Sequence, residues 1–303
     1  MASPSFRAGA VQIRVPATSA NLGPGFDALG LALALYDVVA VRVVDKGLHV
    51  DIAGEGADSV RRDRNNLVVR SMQAAFDILG GQPRGLEVIC ANRIPHGRGL
   101  GSSAAAIVAG ICAARAVVLG GMSDEDVLRL ATEIEGHPDN VAACLYGGAT
   151  VAWIDADGPH ASSLQVHSDV NPVVFVPGNT RQSTKAARSG LPVELAHADA
   201  ALTAGRAALL VHAIASHPNL LFPATEDRLH QPFRLADQPH AAALVEKLRG
   251  AGIAAVLSGS GPSVLALATS PEQAELASSF AGHDFVPSQL PVDRSGAVEQ
   301  SAS

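Results

Sequence analysis

The sequence predicts an α+β protein, with helices packed in layers against sheets, and three observations support this fold class. Strand-like and helix-like segments are mixed along the chain without the strict strand–helix–strand alternation of a doubly wound sheet. Hydrophobic residues make up 48% of the 303 residues and charged residues 17%, so the chain can bury a sizeable core. Aromatic residues make up only 4%, and the core must therefore be built from Ala, Val, Leu and Ile.

The first half of the chain begins with strand signals, and capping residues mark its helices. Alternating Val-rich segments are typical of strands, and a Gly-Gly pair after an apolar helical pattern indicates a helix end. Ser123 with Asp126 resembles a capping box, and Pro138 suits the first position of a helix. The predicted strands are 11–15, 33–44, 48–52, 85–91 and 150–154, and the predicted helices are 67–79, 102–119, 124–135 and 138–145.

The second half follows a polar, turn-rich stretch at 155–163, which we interpret as the crossing between two halves. We therefore predict one domain over residues 1–160 and another over residues 161–303. Residues 295–303 are predicted to be a loose tail. The other signals predict strands at 172–176, 253–257 and 264–268, and helices at 183–188, 194–216, 240–250 and 271–280.

Charge and cysteine content exclude several functional classes. A formal net charge of -7 argues against nucleic-acid binding, which usually requires a basic surface. The three cysteines lie in apolar segments without a CxxC pair, so we expect a reduced, cytoplasmic environment without disulfides. The N-terminus lacks the apolar run of a signal peptide, and no stretch reaches about twenty uninterrupted apolar residues. We therefore expect no membrane association.

The strongest local signal is the Gly-rich loop at 97–101, which a predicted helix follows at once. Its three glycines let the backbone approach a ligand closely and adopt positive φ. The N-terminus of the helix presents unpaired N–H groups and the positive end of the helix dipole. Ser102 and Ser103 add hydroxyls that can reach phosphate oxygens or a magnesium ion. The sequence thus predicts a phosphate-binding loop.

Other interpretations of this loop are weaker. It lacks the Gly-Lys-Ser/Thr of a Walker A loop. The pattern Gly99-x-Gly101-x-x-Ala104 satisfies the dinucleotide fingerprint, which also requires an acidic residue at a strand end about twenty positions later. That position falls in 123–126, at the start of another helix. A plain Gly-rich turn packed against a strand is the remaining alternative, and the flanking serines disfavour it.

The loop and two further segments resemble the GHMP kinases, a family named for galacto-, homoserine, mevalonate and phosphomevalonate kinases. Residues 95–105 resemble its PxxxGLGSSAA signature, residues 16–27 (PATSANLGPGFD) its first motif, and residues 258–263 (SGSGPS) its last. Ser19-Ala20 stands where isoprenoid-type members usually carry a lysine, and the GPGFD that follows is typical of the homoserine-phosphorylating subfamily. Further segments similar to that subfamily are 135–140, 183–188 and 230–234.

This resemblance implies the GHMP kinase fold, with an S5-like α+β N-terminal domain, a ferredoxin-like C-terminal domain and the active site between them. It implies ATP-dependent phosphorylation of the side-chain hydroxyl of L-homoserine to O-phosphohomoserine, in threonine biosynthesis. ATP and Mg²⁺ are the implied cofactors, and a homodimer is the implied assembly. Two alternatives stay open: a GHMP kinase of the isoprenoid-precursor type, and a catalytically silent ATP-binding regulator on the same fold.

The resemblance also assigns the nucleotide and metal sites. Mg²⁺ prefers hard oxygen ligands, here Glu135 and a serine hydroxyl, Ser103 being favoured over Ser102. As an ordinary last-turn acid Glu135 would oppose the helix dipole, which favours a ligand role. Asn66 resembles the adenine-contacting residue of the family, and a helix cap is an equal alternative. The predicted nucleotide-binding residues are Pro95, Gly97, Arg98, Gly99, Leu100, Gly101, Ser102, Ser103, Ala104, Ala105 and Asn66.

Homoserine is a zwitterion with a hydroxyl, so its site needs acceptors for the ammonium and cations for the carboxylate. Arg188 and Arg234 suit the carboxylate because a guanidinium donates two parallel hydrogen bonds; solvated surface charges are the alternative. Asp27 suits the ammonium. Asp139 suits the reacting hydroxyl, as general base or as an orienting group only, and a first-turn helix acid is the alternative. The predicted substrate-binding residues are Asn21, Asp27, His137, Thr184, Arg188 and Arg234, and the predicted catalytic residue is Asp139.

Overall fold

Two β-sheets with helices packed on them make up the structure. The computed structural model describes residues 4–178 and 184–300, and of residues 184–186 the backbone alone. The described strands are β1 (Val11–Ala20), β2 (Leu29–Val44), β3 (Gly47–Gly54), β4 (Gly85–Asn92), β5 (Ala149–Asp155), β6 (Gly158–Leu164), β7 (Asn171–Pro177), β8 (Ala254–Leu257), β9 (Val264–Ala268), β10 (Phe285–Gln289) and β11 (Val298–Gln300).

Most helices lie between β3 and β5 or between β7 and β8, and the last one lies between β9 and β10. A short 3-10 turn, Pro218–Leu220, separates two of them. The described helices are α1 (Leu67–Ile78), α2 (Ser102–Val117), α3 (Asp124–Glu135), α4 (Asp139–Tyr146), α5 (Thr184–Ser189), α6 (His197–Ser216), α7 (Leu221–Ala224), α8 (Gln231–Ala236), α9 (Pro239–Gly250) and α10 (Pro271–Ser279).

The larger sheet has seven strands in the order β11-β1-β2-β4-β3, with β5 joined to the start of β2 and β6 to β5. Only the β3–β4 pair is parallel among the described strands of this sheet. The register between β1 and β2 shifts between Pro16 and Ala17. Proline has no N–H to give to the ladder, so a β-bulge at this position is the expected accommodation.

Helix α2 is the central helix on the larger sheet. It packs on β1 and β2, and α1, α3 and α4 surround it. Apolar Ala, Ile and Val residues lie all around α2, because the sheet and the neighbouring helices bury most of its surface. The Thr18 N–H donates to the Leu100 carbonyl at 3.1 Å, so the loop before α2 lies against the end of β1.

The smaller sheet has four strands in the order β10-β7-β9-β8. One face contributes Val174, Val256 and Leu265 to the same core as the larger sheet. The other face, with Phe175, forms a second core together with residues of α9 and α10, such as Leu244. The turn between β8 and β9 therefore lies close to the larger sheet.

Most of the predicted elements are confirmed, but some were missed. The predicted loose tail is wrong over residues 295–300, and its residues 301–303 lie outside the described residues. Residues 298–300 form β11, which pairs with β1, because a side chain at Asp293 caps the preceding turn and the edge of β1 is free to accept a strand. The turn-rich residues 155–163 include most of β6, and β10, α7 and α8 were also missed. The domain division at residue 160 stays a prediction.

Helix α6 is, by length and composition, apolar enough to cross a membrane. One such helix among the described residues is weak evidence, because helices of protein cores pass the same test. Here α6 packs against α7 and is buried only in part, with Leu210, Ala213 and Ile214 in the main core.

Candidate active site

The loop before α2 is held in a left-handed backbone conformation that favours glycine. Gly97, Gly99 and Gly101 have φ values of 66°, 75° and 68°. Gly101 is the N-cap of α2, and a Cβ at this position would overlap the Thr18 hydroxyl oxygen. The first N–H groups of α2 are consequently free to point at a ligand, as an anion site requires.

A turn from the smaller sheet fastens this loop. The Ser258 hydroxyl donates to the Gly99 carbonyl oxygen at 2.6 Å and lies 2.9 Å from the Ser19 hydroxyl oxygen. The Gly259 N–H donates to the Ala20 carbonyl at 3.2 Å. The loop is thus held between the end of β1 and the β8–β9 turn, which belong to different sheets.

A cavity of about 160 Å³ opens at this junction. It brings together most of the polar side chains that the sequence predicted, although they lie far apart along the chain. Its lining includes Asn21, Asp27, Gly97, Gly99, Gly101, Ser102, Ser103, Glu135, His137, Asp139, Arg188 and Arg234.

One wall of this cavity is a strained turn after β1. Asn21, Leu22 and Asp27 have positive φ values of 69°, 50° and 57°, which are uncommon for residues other than glycine. Asn21 holds the turn: its amide nitrogen donates to the Gly259 carbonyl, and its amide oxygen accepts from the Asp27 N–H, each at 3.0 Å. Such strain persists only where neighbouring contacts over-determine it, and it clusters at functional sites.

Asp27 and Arg188 form a bidentate ion pair at the mouth of the cavity. The two Arg188 amino groups donate to the two Asp27 carboxylate oxygens at 2.8 and 2.7 Å. The pair is partly solvated, with side chains 43% (Arg188) and 34% (Asp27) exposed. Arg234 lies deeper and donates to the Gly259 carbonyl at 2.9 Å. Burial and the nearby Arg188 charge lower the pKa of Arg234.

Asp139 begins α4, and its carboxylate is buried against His137. Asp139 Oδ1 lies 2.7 Å from His137 Nδ1 and accepts the Asn140 N–H, also at 2.7 Å. Burial disfavours the charged imidazole, but the hydrogen bond and charge of Asp139 outweigh it and raise the pKa of His137. Among the described residues none donates to Asp139 Oδ2.

The end of α3 meets the start of α2 at Glu135 and Ser103. The Ser103 hydroxyl donates to Glu135 Oε1 at 2.5 Å. A hydroxyl and a carboxylate beside a phosphate loop are the hard oxygen donors that Mg²⁺ prefers, so these residues fit the ion. No cluster of three or more His, Cys, Asp or Glu ligands occurs within the described residues.

A second, mostly apolar cavity adjoins the first and shares Ser102 and Ser103 with it. Asn66 lies in its wall as the N-cap of α1: its amide oxygen accepts from the N–H groups of Val68 and Val69, and its nitrogen donates to the Arg61 carbonyl. The helix-cap interpretation is confirmed, and contact with adenine stays a prediction. The other walls include Val39, Ile52, Val60, Leu67 and Ala105.

Several predicted residues lie outside both cavities. Leu100 and Ala104 are buried beneath the loop and do not line either cavity, and neither does Pro95. Arg98 does not line either cavity, and its guanidinium donates to the Gly178 carbonyl at 2.6 Å. The Thr184 side chain lies outside the described residues. The roles of all the predicted site residues stay predictions.

The structure adds cavity residues that the sequence analysis did not assign. Asn140 lines the first cavity, and its amide oxygen accepts from the Thr18 hydroxyl at 2.7 Å. Gly259 and Ser260, from the β8–β9 turn, line it as well. Asn140 follows Asp139 directly in a segment already singled out, so its position in the motif was an available signal.

Comparison with known families agrees with this geometry. Residues 66–148 match the family described as GHMP kinases N terminal domain, and residues 200–286 match GHMP kinases C terminal. Together these matches cover more than half of the chain.

Individual relatives extend the comparison to the whole chain. A homoserine kinase of Streptomyces coelicolor is 60% identical over 98% of this chain and 97% of its own length. A crystal structure of homoserine kinase from Cytophaga hutchinsonii superposes with a TM-score of 0.87 at 29% identity, covering 99% of this chain and 100% of that one. Mevalonate kinase of L. major shares the fold at 18% identity, with a TM-score of 0.67 and complete coverage of both chains.

The phosphate loop provides a first test. We expect Gly99→Ala to lower the affinity for ATP about tenfold or more, because a side chain at positive φ is strained by roughly 1–2 kcal/mol. Its Cβ would in addition overlap the Ser258 carbonyl oxygen. Titration calorimetry measures the change, and Gly121→Ala, where a Cβ meets open space, is the matched control. Equal affinity in the two variants would contradict this assignment.

The cap at Asn66 provides a second test. We expect Asn66→Ala to lower the free energy of unfolding by about 1 kcal/mol, because two N–H groups of α1 lose their acceptor. Asn66→Asp keeps the acceptor oxygen and should retain most of the stability. Urea denaturation of the wild type, Asn66→Ala and Asn66→Asp measures the free energy of unfolding. Equal midpoints for Asn66→Ala and the wild type would count against the cap. A raised KM for ATP in a folded Asn66→Asp would support the adenine contact.

Proposed function

The chain belongs to the GHMP kinase family, and from this premise we propose that it transfers the γ-phosphate of ATP to the side-chain hydroxyl of L-homoserine. One observation carries the proposal: the phosphate loop before α2 and the charged residues Asp27, Arg188 and Arg234 line the same cavity. A nucleotide and an amino acid can therefore meet there. Relatives named homoserine kinase match nearly the whole chain, which supports this substrate over other alcohols.

The nucleotide occupies both cavities in this proposal. The apolar second cavity takes the adenine, and the triphosphate follows Ser102 and Ser103 into the first. Loop N–H groups and the dipole of α2 neutralise part of the phosphate charge without a lysine. Positioning of this kind, together with electrostatic stabilisation, supplies most of the catalysis in phosphoryl transfer.

The amino acid lies across the charged wall. Its ammonium binds Asp27, and its carboxylate binds Arg188 and Arg234, which are the only arginines lining this cavity among the described residues. The strained turn that carries Asn21 and Asp27 fixes the distance between the ammonium site and the loop. The hydroxyl at the other end of the substrate then reaches towards Asp139.

Asp139 binds the reacting hydroxyl of the substrate. Its Oδ2, to which none of the described residues donates, accepts the hydroxyl hydrogen, while Oδ1 contacts His137 and accepts the Asn140 N–H. The hydroxyl oxygen forms a bond to the γ-phosphorus, the bond to the β–γ bridging oxygen breaks, and ADP leaves. The proton passes either to Asp139 or to the transferred phosphoryl group. In the second case Asp139 orients the nucleophile and is not a base.

Ser103 and Glu135 would hold Mg²⁺ beside the phosphates. A bound Mg²⁺ neutralises charge on the phosphate oxygens. Without the ion, the Ser103 hydroxyl is already aligned by Glu135 at the first turn of α2.

The two alternative functions fit less well. An isoprenoid-precursor substrate has no ammonium. If its anionic group took Arg188, the Asp27 carboxylate would lose its ion-pair partner and gain no other. A catalytically silent regulator would not need Ser103, Glu135 and Asp139 to converge on the same cavity as the loop.

Location and assembly complete the proposal. We expect a cytoplasmic homodimer that binds neither nucleic acid nor a membrane. The net charge of -7 supports the absence of nucleic-acid binding. The homodimer rests on analogy with the family alone.

A substrate comparison tests the proposed function. We expect Mg²⁺-dependent ADP release to be fastest with L-homoserine, because only a zwitterionic alcohol of this length satisfies both Asp27 and the arginines. A coupled assay across homoserine, serine, threonine, mevalonate and galactose measures the selectivity, with EDTA as the control for the metal. Equal or faster turnover of mevalonate would overturn the substrate assignment.

Removal of one guanidinium tests the carboxylate site. We expect Arg188→Ala to raise the KM for homoserine about 10- to 100-fold, the range that loss of charged hydrogen bonds gives. The KM for ATP should stay the same, because the loop is not touched. Arg206→Ala removes an ion pair with Glu226 away from the cavity and is the matched control. Unchanged homoserine kinetics in Arg188→Ala would contradict its place in the site.

A further inference from the structure

Phe26 contacts the charged wall without lining the cavity. Its ring is half-buried and does not belong to the cavity surface. The guanidinium carbons of Arg188 and Arg234 each lie 5.2 Å from the ring centroid. One aromatic ring therefore contacts the two arginines that face the cavity.

Two guanidinium groups beside the same ring repel each other, so each needs a favourable interaction that keeps it in place. Arg188 has Asp27 as its counter-ion. Arg234, only 4% exposed, has the Gly259 carbonyl, and its Nε is buried without a hydrogen-bond partner among the described residues. The negative face of an aromatic ring attracts a cation within about 6 Å, and more strongly when the cation is desolvated. The Phe26 ring meets this condition for both arginines.

His230 holds the Phe26 ring in place through stacking and a hydrogen bond to the same turn. Its ring stacks on Phe26, with centroids 4.9 Å apart. Burial lowers the pKa of His230, so the imidazole is neutral and adds no third positive charge. Its Nε2–H donates to the Gly23 carbonyl at 2.7 Å, within the strained turn that carries Phe26. The ring of Phe26 is thereby held in one orientation.

We propose that Phe26 is a positioning residue that holds Arg188 and Arg234 in the convergent arrangement needed to bind the substrate carboxylate. This inference rests on the proposed function, because it concerns the carboxylate end of the same substrate. It assigns specificity for an α-amino acid in part to a side chain that never touches the ligand. Phe26 takes no part in binding ATP.

Graded fluorination of Phe26 tests this proposal. Fluorophenylalanines with one, two and three ring fluorines keep the shape of the side chain and progressively weaken the negative ring face. We expect the KM for homoserine to rise stepwise with each fluorine, to about fivefold or more for the third. The kcat and the KM for ATP should stay within about twofold. A merely structural ring would give a homoserine KM independent of fluorination, and that result would overturn the proposal.

A conventional variant and its control complete the test. We expect Phe26→Leu to raise the KM for homoserine about 5- to 30-fold, and Phe26→Tyr, which keeps the ring face, to stay near the wild type. Phe222→Leu is the matched control, because Phe222 lies 4.6 Å from Arg249 and neither lines the cavity. A parallel rise in the KM for ATP and homoserine in Phe26→Leu would indicate collapse of the turn and overturn the proposal. A wild type inactive on homoserine would instead reject the proposed function, so the two failures are distinguishable.

Discussion

The backbone of the loop before α2 constrains the rest of the site. Gly101 caps the helix with Thr18 directly against it, so the loop has no room to move towards β1. On the other side, Ser258 donates to the Gly99 carbonyl from a turn of the smaller sheet. The proposed phosphate loop on one sheet is therefore held in place by the other sheet. Any shift between the two sheets would change the loop and the amino-acid wall together, because Gly259 in the same turn accepts from Asn21 and Arg234.

The chain carries a net charge of -7, and yet the proposed function requires it to bind two anionic groups. In this proposal each anion is bound by a local group of positive charge that neighbouring residues hold in place. The N–H groups at the start of α2 bind the phosphates, and Arg188 and Arg234 bind the carboxylate. Ser19, in the Ser19-Ala20 pair that the sequence analysis compared with the lysine of isoprenoid-type members, is fully buried, and its hydroxyl oxygen lies 2.9 Å from the Ser258 hydroxyl oxygen. In this chain the position links the two sheets and leaves charge neutralisation to the helix terminus.

Sequence reasoning reached the α+β class and the loop because both depend on local patterns. The glycines of the loop, the Ser123 cap and the helix that follows are encoded within a few residues of one another. The β11 strand was missed because Val298–Gln300 is short and is stabilised by pairing with β1, almost the whole chain length away. The ion pair of Asp27 with Arg188 could not be predicted for the same reason: 161 residues separate the partners. A motif identifies residues that belong to one site, and it does not say which of them contact each other.

In the proposed function, this ion pair explains why a zwitterion suits the site better than an ion of one sign. Without a ligand, Asp27 and Arg188 satisfy each other through two hydrogen bonds. A simple amine would take Asp27 and leave Arg188 without its counter-ion, and a simple carboxylate would do the reverse. An α-amino acid carries both charges on neighbouring carbons and can replace both partners at once. Because the pair is partly solvated, opening it costs less than breaking a buried pair would. In the proposed function, selectivity for the amino acid thus arises from an exchange of partners, in which only a ligand with both charges leaves neither side chain unpaired.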